Sequence, residues 1–307
     1  MPKTTPTSLP LVDAAQSVPL QFLPGSSSFP HSVQTPAPQS APPEGAVRLF
    51  ALGDVVARPG RDAAASAIRF FKNRYSVNII LVNGENSAGG TGITPATAKE
   101  LLAAGADCIT TGNHVWRYRE CYPLLASAPA LLRPANFGEQ TPGKGLTILS
   151  LPAARIAVLN LAGRVFMDAA ECPFRTADEA LATLPPDIHL IIVDFHAEAT
   201  SEKRAMSHYL DGRVSVLFGT HTHVQTSDAR ISAQGTASLT DLGMCGAEEA
   251  SVLGMAKEPV LARFLSGMPH PFRTAKGPGT VNGLLADIDT TTGKALALWL
   301  VRGAAPR

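Results

Sequence analysis

Apolar residues fall in continuous runs that stop repeatedly on a polar residue. The run 47-VRLFALGD-54 closes on Gly-Asp, 77-VNIILVNGEN-86 on Asn-Gly-Glu-Asn, and 107-DCITTGNH-114 on Gly-Asn-His. The runs 155-RIAVLNLAG-163, 188-IHLIIVDFHAE-198 and 213-RVSVLFGTHTH-223 have the same character. Uninterrupted apolar runs of this length read as strands buried on both faces. Between them, 61-RDAAASAIRFFKNRYS-76, 94-TPATAKELLAAGA-106, 176-TADEALATL-184 and 201-SEKRAMSHYL-210 have helical length and apolar spacing. Thr94 reads as an N-cap with Pro95 in the first turn. Strands alternating with helices predict an α/β fold with a buried, largely parallel sheet. The segments 236-TASLTDLG-243, 280-TVNGLLADID-289 and 294-KALALWLV-301 read as strands with no long helix between them. They predict a second, more antiparallel sheet in the same domain.

Residues 1–45 break the rhythm. They hold ten of the 25 prolines, many Ser, Thr and Gln, and three charged residues. Such a stretch buries too little apolar surface to offset its ordering entropy. It is expected to be a disordered extension, leaving residues 46–307 as a single domain.

Composition removes several classes of function. The formal net charge is +1 and no Lys/Arg cluster occurs, so a nucleic-acid polymer is not an expected partner. The four cysteines, Cys108, Cys121, Cys172 and Cys245, show no CxxC spacing, which fits free thiols in a reducing compartment. No secretory h-region follows Lys3, and no apolar run approaches the roughly 18 residues of a membrane span. A cytoplasmic protein is expected.

In open α/β sheets, ligands gather beyond the carboxyl ends of the strands. Those ends carry Asp54, then Asn83, Glu85 and Asn86, then Asn113 and His114, then Asp194 and His196, then His221 and His223. Taken singly, each has a bland role as cap, turn residue or buried imidazole. Five strands delivering such groups to the same kind of position point to a metal site. The mixed N/O donor set lacks thiolate, which suits Mn, Fe or Zn better than Ca or Mg. Asp54, Glu85, Asn113, His196, His221 and His223 exceed what one catalytic metal with an open position needs. The set fits two metals bridged by one carboxylate. His221 and His223 stand two apart, so an extended backbone would point both rings to one side.

The order Gly-Asp (53–54), Asn-Gly-Glu-Asn (83–86), Gly-Asn-His (112–114), His196 and Gly-Thr-His-Thr-His (219–223) resembles the calcineurin-like metallophosphoesterases. Within them it is similar to the bacterial YmdB-like family, with further matches at 84-GENSAGGTGIT-94, 110-TTGNHVW-116, 133-RPAN-136, 172-CPFRTAD-178, 194-DFHAEATSEK-203 and 276-KGP-278. The resemblance implies a calcineurin-like α/β sandwich of two mixed sheets flanked by helices. It implies two metal ions per chain, Fe or Mn, with Zn as an alternative. Asp54, Glu85, Asn86 and His223 would hold one. Glu85, Asn113, His196 and His221 would hold the other, with Glu85 as the bridge. His114 would be the proton donor.

This chain departs from the pattern of the wider superfamily. Asp54-Val55-Val56 stands where that superfamily has Asp-x-His, and Asn86 would fill the place left by the histidine. Glu85 replaces a bridging Asp, Ala57 a usual Gly, and Arg117 a usual Asp. The implied activity is hydrolysis of small phosphodiesters, 2′,3′-cyclic and also 3′,5′-cyclic nucleotides, by a water activated between the two cations. A homo-oligomer is compatible with the resemblance. Asp194, Asp211 and Asp241 are candidates for orienting imidazoles. Arg133 and Arg175 are candidates for meeting phosphate, against structural ion pairs. A phosphomonoesterase and a non-catalytic nucleotide-binding regulator remain as rivals. A phosphate-binding loop at 84–94 does not, because the GKS/T ending is missing.

Overall fold

A computed structural model describes residues 38–249 and 251–306 fully and residues 21–24 by their backbone. In chain order the elements begin with β1 (Gln21–Pro24), β2 (Ala46–Leu52), β3 (Asp54–Val55), α1 (Ala57–Tyr75), β4 (Ile79–Asn83), α2 (Pro95–Ala104), β5 (Cys108–Thr110) and α3 (Tyr122–Ser127). The middle of the chain supplies β6 (Leu146–Ser150), β7 (Arg155–Ala162), α4 (Pro173–Ala182), β8 (Leu190–His196), α5 (Thr200–Tyr209), β9 (Val216–Thr220), β10 (Arg230–Ile231) and β11 (Ala237–Leu239). The rest are β12 (Met244–Cys245), β13 (Ser251–Val252), β14 (Met255–Ala256), α6 (Lys257–Ser266), β15 (Thr280–Asp289) and β16 (Ala295–Ala304).

Two six-stranded sheets stack face to face, ordered β1-β16-β15-β2-β4-β5 and β10-β11-β9-β8-β7-β6. Each is mixed: β2, β4 and β5 run parallel in the first, and β7, β8, β9 and β11 in the second, with antiparallel strands outside them. Side-chain alternation assigns the layers. Val47, Leu49 and Ala51 meet Ile156, Val158, Ile192 and Phe218 between the sheets. On the outer face of the first sheet, Phe50, Leu52, Ile80 and Val82 pack on Ala64, Ala67, Ile68 and Phe71 of α1 and Leu101 of α2. On the outer face of the second, Leu159, Val193 and Phe195 pack on Ala177 of α4 and Met206 of α5. The central strands are thus buried on both sides, which is why they read as unbroken apolar runs.

The predicted helices and parallel strands are present, and Thr94 caps α2 in a reciprocal capping box with Thr97. The reading of the late segments fails in two ways. The late strands do not form a sheet of their own: β15 and β16 complete the first sheet beside β2, while β11 pairs parallel with β9 in the second. A helix, α6, lies among them, and it buries only Val260. Most of the extension read as disordered, residues 1–20 and 25–37, falls outside the described residues. Within it, Gln21–Pro24 pairs antiparallel with β16.

The stretch leading into β2 is tied to the body by Arg48. Its guanidinium meets both carboxylate oxygens of Asp287 at 2.6 and 2.7 Å and donates to the carbonyls of Gln39, Ala41 and Tyr75. Both partners are buried. Asp287→Ala would leave an uncompensated buried cation and should destabilise the fold by about 3–5 kcal/mol, read from the denaturant midpoint. Arg48→Met with Asp287→Leu should recover most of that loss.

Candidate metal centre

Both sets of parallel strands end at the same edge of the sandwich, and the polar strand ends meet there. In the second sheet His196 is registered with Thr220, and Ala162 with His196. In the first, Asn83 is registered with Thr110. Close backbone approach is required at two glycines. A Cβ on Gly53 would stand 1.9 Å from the Gly243 carbonyl oxygen, and one on Gly112 would stand 2.1 Å from the His196 ring. The Gly residues before Asp54 and Asn113 therefore let chain and imidazole into contact.

Asp54 and Glu85 are fully buried. Asp54 Oδ2 accepts the backbone N–H of His221 at 3.0 Å. Glu85 Oε1 accepts the His114 N–H at 2.8 Å and lies 2.9 Å from His114 Nδ1. The other oxygen of each, Asp54 Oδ1 and Glu85 Oε2, is buried with no hydrogen-bond partner among the described residues. Leaving a buried carboxylate oxygen unpaired costs a large desolvation penalty, so an external cation is the natural complement.

Donor atoms gather around His196 Nε2: Asn113 Oδ1 at 3.1 Å, His221 Nδ1 at 3.1 Å and Glu85 Oε1 at 3.5 Å. A second gathering surrounds His223 Nε2, with the Asn86 amide at 3.1 Å and Asp54 Oδ1 at 3.6 Å. All seven sequence-predicted ligands and His114 are therefore brought together. Among the described residues, no three or more His, Cys, Asp or Glu side chains form a metal-holding group by themselves. The amides of Asn86 and Asn113 would have to join either set for it to hold a cation. Asn86 turns its Oδ1 to His114 Nδ1 at 3.1 Å and its Nδ2 to His223. Ligation by its oxygen requires that amide to be reversed.

The expectation of an extended His-Thr-His segment is corrected. Strand β9 ends at Thr220, and His221 and His223 both take positive φ, 95° and 64°. Non-glycine residues hold such angles only where the surroundings impose them. Here Asp241 does so by accepting from Thr222 N at 3.2 Å, Thr222 Oγ1 at 2.6 Å and the buried Lys203 Nζ at 2.6 Å. Asp241 thus orients the loop rather than an imidazole. Asp194 accepts from Thr110, Thr220 and Asn83, and Thr220 Oγ1 in turn meets His196 Nδ1 at 2.9 Å.

Other candidates fall outside the centre. Asp211 pairs with Ser232. Arg133 donates to the carbonyls of Pro134, Ala135 and Phe137 and so braces a loop. Arg175 is exposed on α4, and Arg117 is exposed and packs over Gly92. Glu198, missed in the sequence, stands 3.0 Å from His221 Nε2. Thr220 and Thr222 were also missed, although their alternation with the histidines in GTHTH was a readable signal for hydroxyl partners.

The electrostatics follow from this packing. Burial disfavours the Asp54 carboxylate, but the adjacent His223 ring and the His196 charge outweigh it and hold the group at about 2. Against the same desolvation, His196 and His114 hold Glu85 well below the usual carboxylate range. Burial opposes a charged His196, yet Glu85, Asp54 and Asp194 raise it to about 9. Burial, then the His196 charge, lowers His221 to about 4. Burial raises Asp194 to about 6.

The YmdB-like protein family matches residues 50–300 of this chain. A Bacillus subtilis (strain 168) protein named 2′,3′-cyclic-nucleotide 2′-phosphodiesterase is 44% identical over 252 residues, 82% of this chain and 95% of that protein. The crystal structure of a novel phosphatase from Mycoplasma pneumoniae superposes with a TM-score of 0.80 at 32% identity, covering 85% of this chain and 94% of that one. A putative 5′-nucleotidase from Staphylococcus aureus, at 13% identity and a TM-score of 0.53 over 85% of this chain and 55% of its own, shares the fold.

Metal ligation requires a neutral imidazole. His196, raised to about 9, would lose its proton on ligating a cation near neutral pH. Titration with Mn²⁺ at pH 7.5 or so, in buffers of different ionisation enthalpy, should show release of about one proton per chain or more. That release should fade as pH passes the folded-state value. Heats independent of the buffer would contradict the His196 assignment.

Proposed function

The chain belongs to the YmdB-like family, and on that premise we propose that it is a metal-dependent phosphodiesterase acting on small cyclic phosphodiesters, first among them the 2′,3′-cyclic nucleotides. The observation that carries the reading is the pair of unpartnered buried oxygens, Asp54 Oδ1 and Glu85 Oε2, amid convergent imidazoles and amides. Asp54, Glu85, Asn86 and His223 would hold one cation, and Glu85, Asn113, His196 and His221 the other. A thiolate-free N/O donor set suits manganese, iron or zinc better than calcium or magnesium, and the family resemblance points to iron or manganese. When bound, the two cations supply Lewis acidity toward the phosphoryl oxygens and the attacking water.

The chain's own residues supply position and a proton. His114 follows Asn113 in the chain, and its Nδ1 lies 2.9 Å from Glu85 Oε1. Its ring is 39% exposed and lines an open cavity of about 290 Å³ with His221, His223 and Leu253. Hydrolysis adds water oxygen to phosphorus and breaks the bond to the 2′-oxygen. His114 gives a proton to that departing oxygen, and a 3′-phosphate remains. Thr220 and Asp194 fix the His196 ring from behind, and Asp241 fixes the His221–His223 loop. The four cysteines are free, as a reducing cytoplasm would keep them, and no described helix is long and apolar enough to cross a membrane.

His114→Ala should leave the bound-metal content unchanged while kcat on a 2′,3′-cyclic nucleotide falls by about 10²–10⁴-fold. Metal analysis and steady-state rates on the same preparation make the measurement. Full activity in that variant would remove His114 from the proton-donor role.

A further inference from the structure

Beside the cavity that opens on His114 lies a second of about 270 Å³, lined by His223, Gln225, Glu248, Leu253, Asn282 and Arg302 among others. The two cavities share His223 and Leu253. The ridge between them is the 3.1 Å contact from His223 Nδ1 to the Leu253 carbonyl. No step of the hydrolysis described above uses this second space.

Asn282 distinguishes it from a packing defect. The residue is 4% exposed, its Nδ2 donates to the Met244 carbonyl at 2.6 Å, and its Oδ1 is buried with no hydrogen-bond partner among the described residues. A buried amide oxygen left unpaired is costly and calls for a donor. The rim carries a mutually paired charge couple, Arg302 Nη2 to Glu248 Oε1 at 2.8 Å, whose side chains are both partly exposed. Leu253, held at a φ of 54°, keeps its carbonyl on His223 and its side chain exposed at the ridge. The space therefore has a wall residue with an unused buried acceptor, a balanced polar rim and an apolar edge. A second phosphate is a poor occupant: Glu248 neutralises the guanidinium, and the open buried atom is itself an acceptor. A planar heterocycle with an N–H on its edge fits all three features.

We propose that this cavity is the nucleobase subsite of the enzyme, with Asn282 Oδ1 accepting an N–H of the base whose cyclic phosphate lies at the metal centre. The subsite rests on the phosphodiesterase reading of that centre. It makes Asn282 a specificity-determining residue, with Glu248 and Arg302 closing the rim over the ring.

The test compares two substrates with the same reacting group: a nucleoside 2′,3′-cyclic phosphate and the 2′,3′-cyclic phosphate of methyl riboside, which has no base. The metal-loaded wild type should prefer the nucleotide in kcat/KM by about tenfold or more, the scale of one well-made buried hydrogen bond. Asn282→Ala should erase most of that preference by slowing nucleotide hydrolysis alone. Because Asn282 also holds the Met244 carbonyl, Glu248→Ala with Arg302→Ala serves as a second variant that leaves this bond intact, and it should lower the same preference. Equal rates on both substrates in the wild type, or equal losses on both in the variants, would overturn the subsite while leaving the phosphodiesterase reading intact. Hydrolysis of neither substrate would overturn that reading and the subsite with it.

Discussion

Two carboxylates buried with one oxygen each unanswered set the terms for the rest of the molecule. Asp54 and Glu85 stand at the ends of neighbouring parallel strands, remote from water, and are ionised against their own desolvation. A fold tolerates such groups only if positive charge is brought to them. The protein brings part of it in His196, which Glu85, Asp54 and Asp194 raise to about 9, and the proposed cations would supply the remainder. The two glycines that admit close approach, the threonine hydroxyls behind His196 and the strained histidine loop all serve that convergence. Strain of about 1–3 kcal/mol for each left-handed histidine is sustained by the buried Lys203–Asp241 pair beneath Thr222.

The sandwich explains why the centre can be so dry and still open on one side. Both sheets are covered by helices on their outer faces and by each other within, so every strand end at the shared edge emerges from a packed core. Loops and one short hairpin roof that edge. The hairpin β13–β14, with Leu253 and Met255, stands over it and divides the space into the cavity of the reacting group and the cavity assigned to the base. On the proposed reading, chemistry and selectivity sit on different elements: the first on rigid strand ends, the second on a hairpin and the edge of β15 and β16.

Much of this was legible in the sequence because a strand buried on both faces leaves a period-free apolar run, and the polar residue that ends the run is conspicuous. Asp54, Glu85, Asn113, His196 and the His-Thr-His loop were all found that way. Sheet membership was not legible: nothing local in 280-TVNGLLADID-289 says that it pairs with Ala46–Leu52, more than two hundred residues earlier. Helix α6 escaped because its Leu261, Phe264 and Leu265 face solvent rather than the core, so it lacks the apolar-inward stripe that betrays a packed helix. The backbone at His221 and His223 could not be read either, since left-handed angles at non-glycine residues arise from tertiary contacts. The rings reached the right place by a different path from the alternation that predicted them. Asn282 had no signature at all, because an unpaired acceptor exists only once the atoms around it are placed.

The central claim is that these side chains form two metal sites sharing Glu85. Anomalous diffraction from crystals of the protein saturated with manganese tests it most directly. The account predicts two peaks per chain, one among Asn113, His196 and His221 and one among Asp54, Asn86 and His223, with Glu85 reaching both. A single peak, or none at saturation, would contradict it.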